Sequence, residues 1–234
     1  RYFEQSLKVK RECGNTLDEG SSLGNIGNLY FSLGRVKEAL NYYFEALEVA
    51  DAAGNVHERL VALVNLGGAF IHGERYVEGI EFLEHSLALS ESLGERIIEA
   101  SINHSLGAAY ANQGSCSQAF GYFQDALKIY QIIESRDGEA TALHSLASIQ
   151  HGRGEIKAAI RLAEQALAIR KEIGDYTHEI DTQCLLGGIY KGLGEYGKSI
   201  QIFQSALDNC YADVMPFETL EVCRNLGDLW LAIG

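Results

Sequence analysis

Displaced by 40 residues, this sequence superimposes on itself without a gap from one end to the other. One register is shared by Ile26-Gly27-Asn28-Leu29-Tyr30, Leu66-Gly67-Gly68-Ala69-Phe70, Leu106-Gly107-Ala108-Ala109-Tyr110, Leu146-Ala147-Ser148-Ile149-Gln150, Leu186-Gly187-Gly188-Ile189-Tyr190 and Leu226-Gly227-Asp228-Leu229-Trp230. A second runs through Ala39-Leu40, Gly79-Ile80, Ala119-Phe120, Ala159-Ile160 and Ser199-Ile200, then Ala46-Leu47, Ser86-Leu87, Ala126-Leu127, Ala166-Leu167 and Ala206-Leu207. A fixed period of this size marks an array in which each repeat is one supersecondary unit stacked on the next.

Glycine punctuates both registers. Gly34, Gly114, Gly154 and Gly194 stand where a first helix ends in a left-handed residue, with Gly73 one residue early; Gly14, Gly54, Gly94 and Gly174 close the second helix. Asn15, Asn55, Glu95 or Asp175 follows, and Glu19, Glu99, Glu139 and Glu179 fall near the next N-terminus, where the helix dipole favours anions. Each repeat therefore reads as two antiparallel helices, with first helices near 17–33, 57–73, 97–113, 137–153, 177–193 and 217–233. The small residue at 27, 67, 107, 147, 187 or 227 gives room for a close helix crossing. The aromatic residue three or four positions on plugs the gap between neighbours.

Composition excludes the competing classes. One proline against 25 glycines, with few alternating β-branched runs, does not supply the turns a sandwich or barrel needs. No apolar run reaches the roughly 18 residues a membrane span requires. A net charge of −13 opposes binding to the phosphate backbone of a nucleic acid. Five cysteines, an odd number without CxxC spacing, fit free thiols in a reducing compartment, so a cytoplasmic location is expected.

The small-and-aromatic pattern resembles the tetratricopeptide repeat, over essentially the whole chain. The usual repeat has about 34 residues; this longer one resembles the subclass of the Pins and LGN adaptors, kinesin light chains and bacterial regulatory helical-repeat proteins. The resemblance implies an all-α fold, a right-handed superhelical solenoid of antiparallel helix pairs. Arg1 to Leu7 aligns with Asn41 to Leu47. Residues 1–13 are therefore expected to be the second helix of a truncated repeat, followed by repeats at 14–53, 54–93, 94–133, 134–173 and 174–213. The first helix of a further repeat follows at 214–234. Solenoids end in polar caps, so these ends read as an excerpt from a longer array.

Two motifs suggest other chemistry. Gly192-Leu193-Gly194-Glu195-Tyr196-Gly197-Lys198-Ser199 matches the phosphate-loop and dinucleotide patterns, but such loops leave a strand, whereas this segment leaves a helix. In the repeat register Ser199 takes the small core slot of Ala39 and Ala159, and Gly194 is the recurrent helix-ending glycine. His104, His144 and Cys184 share one register, with His151 on the same face. Neighbouring first helices lie about 8–10 Å apart, and metal ligands within a helix are spaced i to i+3 or i+4, so these histidines read as lining a groove. No nucleophile motif is present, and no catalytic residue, metal or cofactor is expected.

In the tetratricopeptide family the first helices line the concave surface, which implies exposed groove positions at 21, 24, 25, 28 and 31 plus multiples of 40. The first four repeats place there Ser21, Gly24, Asn25, Asn28 and Phe31; Val61, Val64, Asn65, Gly68 and Ile71; Ser101, His104, Ser105, Ala108 and Ala111; and Thr141, His144, Ser145, Ser148 and His151. None is a carboxylate, lysine or arginine, although the chain has 32 acidic residues. Acids crowd the second helices instead, as at Glu38, Glu45, Glu48, Glu78, Glu81 and Glu84. Asn25, Asn65, Ser105, Ser145 and Asn225 form a column of donors and acceptors suited to an extended peptide backbone, with apolar contact from Phe31 and Ile71. Leu185 interrupts the column. Resemblance to kinesin light chains assigns backbone-holding asparagines to Asn25, Asn65 and Asn225. The arginines that Pins and LGN relatives carry at the register of Ser21, Val61, Ser101 and Thr141 are absent. That register becomes Asp181 and Glu221 later, joined by Lys191, Arg224 and Asp228.

The leading expectation is a non-catalytic scaffold that binds a protein or peptide partner, neutral or with a basic stretch toward its C-terminal side. The alternative is a regulatory or sensor arm of a larger signalling protein or protease; a metal- or nucleotide-binding protein ranks third. The fourth repeat is expected to be the soft point, because Gln150 replaces an aromatic residue, Ala163 stands where Tyr43, Leu83, Phe123 and Phe203 stand, and the junction at 134–138 lacks its usual glycine.

Overall fold

A computed structural model describes residues 16–213 and 222–226. Among the described residues there is no strand, and helices of 17 or 18 residues follow one another: α1 (Thr16–Ser32), α2 (Val36–Ala53), α3 (Val56–His72), α4 (Tyr76–Leu93), α5 (Arg96–Asn112), α6 (Cys116–Ile132), α7 (Arg136–Gly152), α8 (Ile156–Ile173), α9 (Tyr176–Gly192) and α10 (Tyr196–Asp213). Residues 222–226 are helical as well. The first helices begin one residue before their expected starts. The helices expected at 1–13 and over most of 214–234 lie outside the described residues. The chain forms two compact units, residues 1–122 and 123–234. In the first, α1 to α5 pack in sequence, and α1 and α3, like α3 and α5, also touch directly; in the second, α7 to α10 pack in sequence and α7 touches α9. This is an all-α solenoid of stacked helix pairs.

The helix ends follow a half-period of the repeat. A left-handed residue recurs at 34, 54, 74, 94, 114, 134, 154, 174 and 194, and the next amide closes a bond to the carbonyl five residues back, as Arg35 N–H does to Tyr30 O at 2.9 Å and Asp175 N–H to Arg170 O at 3.0 Å. That is the Schellman closure of a helix C-terminus. Seven of these positions are glycine, but Glu74 and Glu134 hold φ of 60° and 56°. Gly73, expected to supply the left-handed turn one residue early, instead has φ of −81°. The turn thus keeps its place and Glu74 takes the conformation. Asn55 and Asp175 cap the following helices, accepting from Glu58 N–H at 3.2 Å and His178 N–H at 3.3 Å, whereas Glu95 makes no side-chain cap.

The small positions act as expected of a close crossing. A methyl group at Gly67 would lie 2.7 Å from Leu83, one at Gly187 would lie 2.7 Å from Phe203, and one at Gly27 would meet the ring of Tyr43. Residues 43, 83 and 203 therefore lie over the glycines. The aromatic residues of the first helices use a different partner one position earlier: Tyr30 stacks on Tyr42, Phe70 on Phe82 and Tyr110 on Tyr122, with centroids 5.3, 5.3 and 5.4 Å apart. Arg35 and Arg75 lie 4.6 and 4.5 Å above Tyr30 and Phe70 while paired with Glu38 and Glu78. A cation thus caps each of those two ring stacks.

Candidate functional site

Helical periodicity leaves the predicted groove positions on one face, and none of positions 21, 24, 25, 28 and 31, or their equivalents in the next four repeats, is buried. In the first unit Ser21, Gly24, Asn25, Asn28, Val61, Val64, Asn65 and Ser101 border the crevices between successive first helices. Between α1 and α3 lies a cavity of 190 Å³ lined by Gly20, Ser21, Gly24, Asn25, Asn28, Ala46, His57, Glu58, Val61, Ala62 and Asn65. Between α3 and α5 lies a second, of 240 Å³, lined by Val61, Val64, Asn65, Ile97, Ile98 and Ser101. Val61 and Asn65 form the wall shared by the two. Gly24 carries no side chain into the first cavity, and a methyl group there would touch nothing within 4 Å.

The structure sorts the predicted residues. Asn25, Asn28 and Asn65 come together in the first cavity. Asn28 is occupied there, accepting a 2.7 Å hydrogen bond from the Tyr43 hydroxyl; burial of that phenol pushes its pKa up to about 12. Phe31 is half-buried, edge-on to His72 at 5.0 Å. Ile71 packs on the cluster of Leu60, Leu83 and Leu106. Both contribute more to the core than to an open surface. Ser105 is half-buried and donates to the Ser101 carbonyl at 2.9 Å, so its hydrogen is spent within α5. His104 is half-exposed, and burial holds its pKa below the ordinary histidine value, which keeps the ring neutral at pH 7.

In the second unit His144 Nδ1 and Thr182 Oγ1 lie 3.2 Å apart, bridging the crevice between α7 and α9 with the protein's own side chains. Ser145 and Lys191 are half-buried and His151 is exposed; Arg224 is exposed and Asn225 half-buried in the short helical stretch 222–226. Among the described residues no group of three or more His, Cys, Asp or Glu could hold a metal ion. The segment resembling a phosphate loop joins α9 to α10: Ser199 is fully buried and donates to the Gly187 carbonyl at 2.8 Å, and Lys198 pairs with Glu195 at 2.6 Å and lies 5.0 Å above Tyr190. Among the described residues no helix is long and apolar enough to cross a membrane.

Sequence reasoning missed the outer turn of the face. His57 and Glu58 border the first cavity, and Ile97 and Ile98 the second. They stand three, four or seven residues before Val61, Asn65, Ser101 and Ser105, so extending the helical periodicity one turn toward the N-terminus finds them. Glu58, outside the register of the predicted positions, brings a carboxylate to the first cavity and accepts a hydrogen bond from Ser21 Oγ across the crevice.

Tetratricopeptide repeat profiles match residues 58–132, 100–172 and 138–212, and a further one matches 21–51. No curated protein sequence matches the chain. Among solved structures, BtubC (BKLC) from P. vanneervenii is similar with a TM-score of 0.80 at 20% identity, over 90% of this chain and 89% of that one. A STAND signal transduction ATPase with a tetratricopeptide repeat sensor, from Pyrococcus horikoshii, has a TM-score of 0.80 at 16% identity; 98% of this chain matches 39% of that protein. Kinesin light chain TPR-like repeats from Podospora anserina give 0.69 at 19% identity, over 81% of this chain and 93% of that one. At these identities the likeness is one of fold.

Proposed function

This chain belongs to the tetratricopeptide repeat family, whose repeats generally mediate protein–protein interactions, and we propose that it binds an extended segment of a protein partner along the crevices between its first helices. The observation that carries the reading is the cavity between α1 and α3, bordered by Ser21, Gly24, Asn25, Val61 and Asn65 of the predicted face. A side-chain amide offers both donors and an acceptor, which suits an extended peptide backbone. The role is non-catalytic, the partner is a protein rather than a nucleic acid, and the setting is cytoplasmic. The repeats are set at 14–53, 54–93, 94–133, 134–173 and 174–213, in keeping with the left-handed residues at 54, 94, 134 and 174.

The test uses dodecapeptides selected from a random displayed library. Asn25→Ala with Asn65→Ala should weaken their binding about tenfold, two hydrogen bonds each contributing about 0.5–1.5 kcal/mol, and leave thermal unfolding unchanged. Asn28 is left intact because it holds Tyr43. Early melting with undiminished binding would make these asparagines structural and sink the reading.

A second reading, as the sensor arm of a larger signalling protein, is favoured by the match of nearly the whole chain to 39% of the STAND ATPase. The sequence that flanks residues 1 and 234 tests it: an adjoining nucleotide-binding or protease domain supports it, and further repeats alone count against it.

A further inference from the structure

The two neighbouring crevices of the first unit differ in chemistry, and the difference specifies a ligand. In the crevice between α1 and α3 the polar groups are Ser21, Asn25, Asn28, His57, Glu58 and Asn65. Glu58 is the carboxylate among them. It sits three residues after the cap Asn55, where a glutamate commonly folds back onto the cap amide. Here that amide is already bonded to the Ala50 carbonyl at 2.9 Å, and Glu58 crosses the crevice to Ser21 instead. Its other oxygen faces the bare backbone of Gly20, where a methyl group would lie 3.5 Å away. The neighbouring basic groups are turned elsewhere: Arg59 pairs with Asp51 at 3.2 Å, and His57 Nδ1 faces Glu95 at 3.6 Å.

The crevice between α3 and α5 is walled by Val61, Val64, Ile97 and Ile98, with Asn65 and Ser101 at its edge. Ile97 is 70% exposed. A branched side chain so open in the first turn of a helix gains nothing from folding, and it gains on binding an apolar group. Successive first helices lie about 8–10 Å apart, and an extended chain advances about 3.1–3.4 Å per residue. Side chains two or three residues apart therefore reach adjacent crevices.

Resting on the groove reading above, we infer that this unit reads a two-residue signal in its partner: a lysine or arginine placed against Glu58, and a branched apolar or aromatic side chain two or three residues away placed against Val64, Ile97 and Ile98. The carboxylate sets the charge of the first residue, and the shared wall of Val61 and Asn65 sets the spacing. Asn25 and Asn65 hold the backbone between them.

The experiment selects random displayed dodecapeptides on the full chain and measures the enriched sequences against variants. The expected consensus pairs a basic residue with an apolar one at that spacing. Glu58→Gln should then weaken binding by about tenfold, the usual loss for a charge-assisted hydrogen bond. Glu58→Lys should move the selected consensus toward acidic residues at that position, and Ile97→Ser should erase the apolar preference. Melting temperatures should stay constant, since both side chains are largely outside the core. Enriched peptides that lack a basic residue or ignore Glu58→Gln, yet are lost with Asn25→Ala and Asn65→Ala, would overturn this inference and keep the groove. Peptides insensitive to all these changes would overturn both. Failure to enrich any sequence would overturn the two-residue signal.

Discussion

Helix pairs α3–α4 and α7–α8 share one hairpin and hold it with different chemistry. In the first, Gly67 lies under Leu83, Phe70 stacks on Phe82, and Arg75 caps the stack. In the second, Ala147 and Ala163 pack together in one buried cluster with Leu186, and Gln150 replaces the aromatic residue. The crossing therefore conserves volume: glycine faces a large side chain, and alanine faces alanine. Ala163 read alone looks like a lost anchor, but Ala147 fills much of what it vacates, and both are fully buried. What remains unmatched in α7–α8 is polar. Gln150 Oε1 is buried without a hydrogen-bond partner, and so is Nε of Arg170. Arg170 is 2% exposed and meets Asp175 at 3.5 Å; desolvation holds its pKa below the ordinary arginine value. The packing of this segment thus differs from that of α3–α4 in unsatisfied polar atoms rather than in missing volume.

The largest expected difference comes from the ring stack. Phe70→Ala removes a buried aromatic residue touching both Phe82 and Phe44 and should cost about 3–5 kcal/mol. Gln150→Ala, at the same register, should cost less than about 1 kcal/mol, because the amide it removes is poorly satisfied. Hydrogen exchange resolved by helix is the suitable measurement, since a solenoid localises such deficits. Equal costs at the two positions would break the comparison.

Next is the crossing itself. Gly67→Ala should lose about 1–3 kcal/mol by overpacking against Leu83, even though alanine is worth up to about 1 kcal/mol over glycine within a helix. Leu83 is fully buried and has little room to withdraw. Adding Leu83→Ala to Gly67→Ala recreates the alanine pair of α7–α8. The double variant should then be more stable than the sum of the two single changes implies, as is usual for residues in contact. Additivity would show that the size match has no energetic content.

A third expected effect runs in the opposite direction. Gln150→Leu removes the orphaned carbonyl and should stabilise α7–α8 by about 1–2 kcal/mol, slowing exchange over residues 140–170 toward that of residues 60–90. Unchanged exchange would point to Arg170 instead of Gln150.

The sequence carried the array in full view because its two signals are local. Helix-ending glycines and small crossing residues act within one hairpin, so a 40-residue alignment finds them. The ring stacks were half legible: Tyr30, Phe70 and Tyr110 stood out, but their partners Tyr42, Phe82 and Tyr122 adjoin the crossing residues and were merged with them. Site residues were harder to read. The face of Asn25 and Asn65 follows from periodicity, whereas the bond that occupies Asn28 depends on where the Tyr43 hydroxyl lands across the hairpin. The bridge between His144 and Thr182 likewise joins two repeats, and no pattern within one helix announces it. Glu58 stands at a spacing after Asn55 that is common for a capping glutamate, and only the geometry directs its carboxylate across to α1.

The smallest expected effect separates backbone from side chain. Glu74 follows α3 and Glu134 precedes α7, both with positive φ, so each helix pair in the comparison adjoins one strained glutamate. A left-handed conformation costs a non-glycine residue about 1–2 kcal/mol, while glycine loses roughly 0.5–1 kcal/mol of additional entropy on folding. Glu74→Gly and Glu134→Gly should therefore each gain from a few tenths to about 1 kcal/mol, and by the same amount. The equality matters more than the size. If the α7–α8 hairpin owed its softness to the missing glycine at its entrance, Glu134→Gly would gain clearly more than Glu74→Gly and would slow exchange across residues 140–170. Equal gains assign the strain to the turn alone, since the closing bonds, Arg75 N–H to Phe70 O and Ser135 N–H to Tyr130 O, are both 2.9 Å long. The difference between the two regions then rests on Gln150 and Arg170, where paired urea titrations of Gln150→Leu and Glu134→Gly can weigh the contributions against each other.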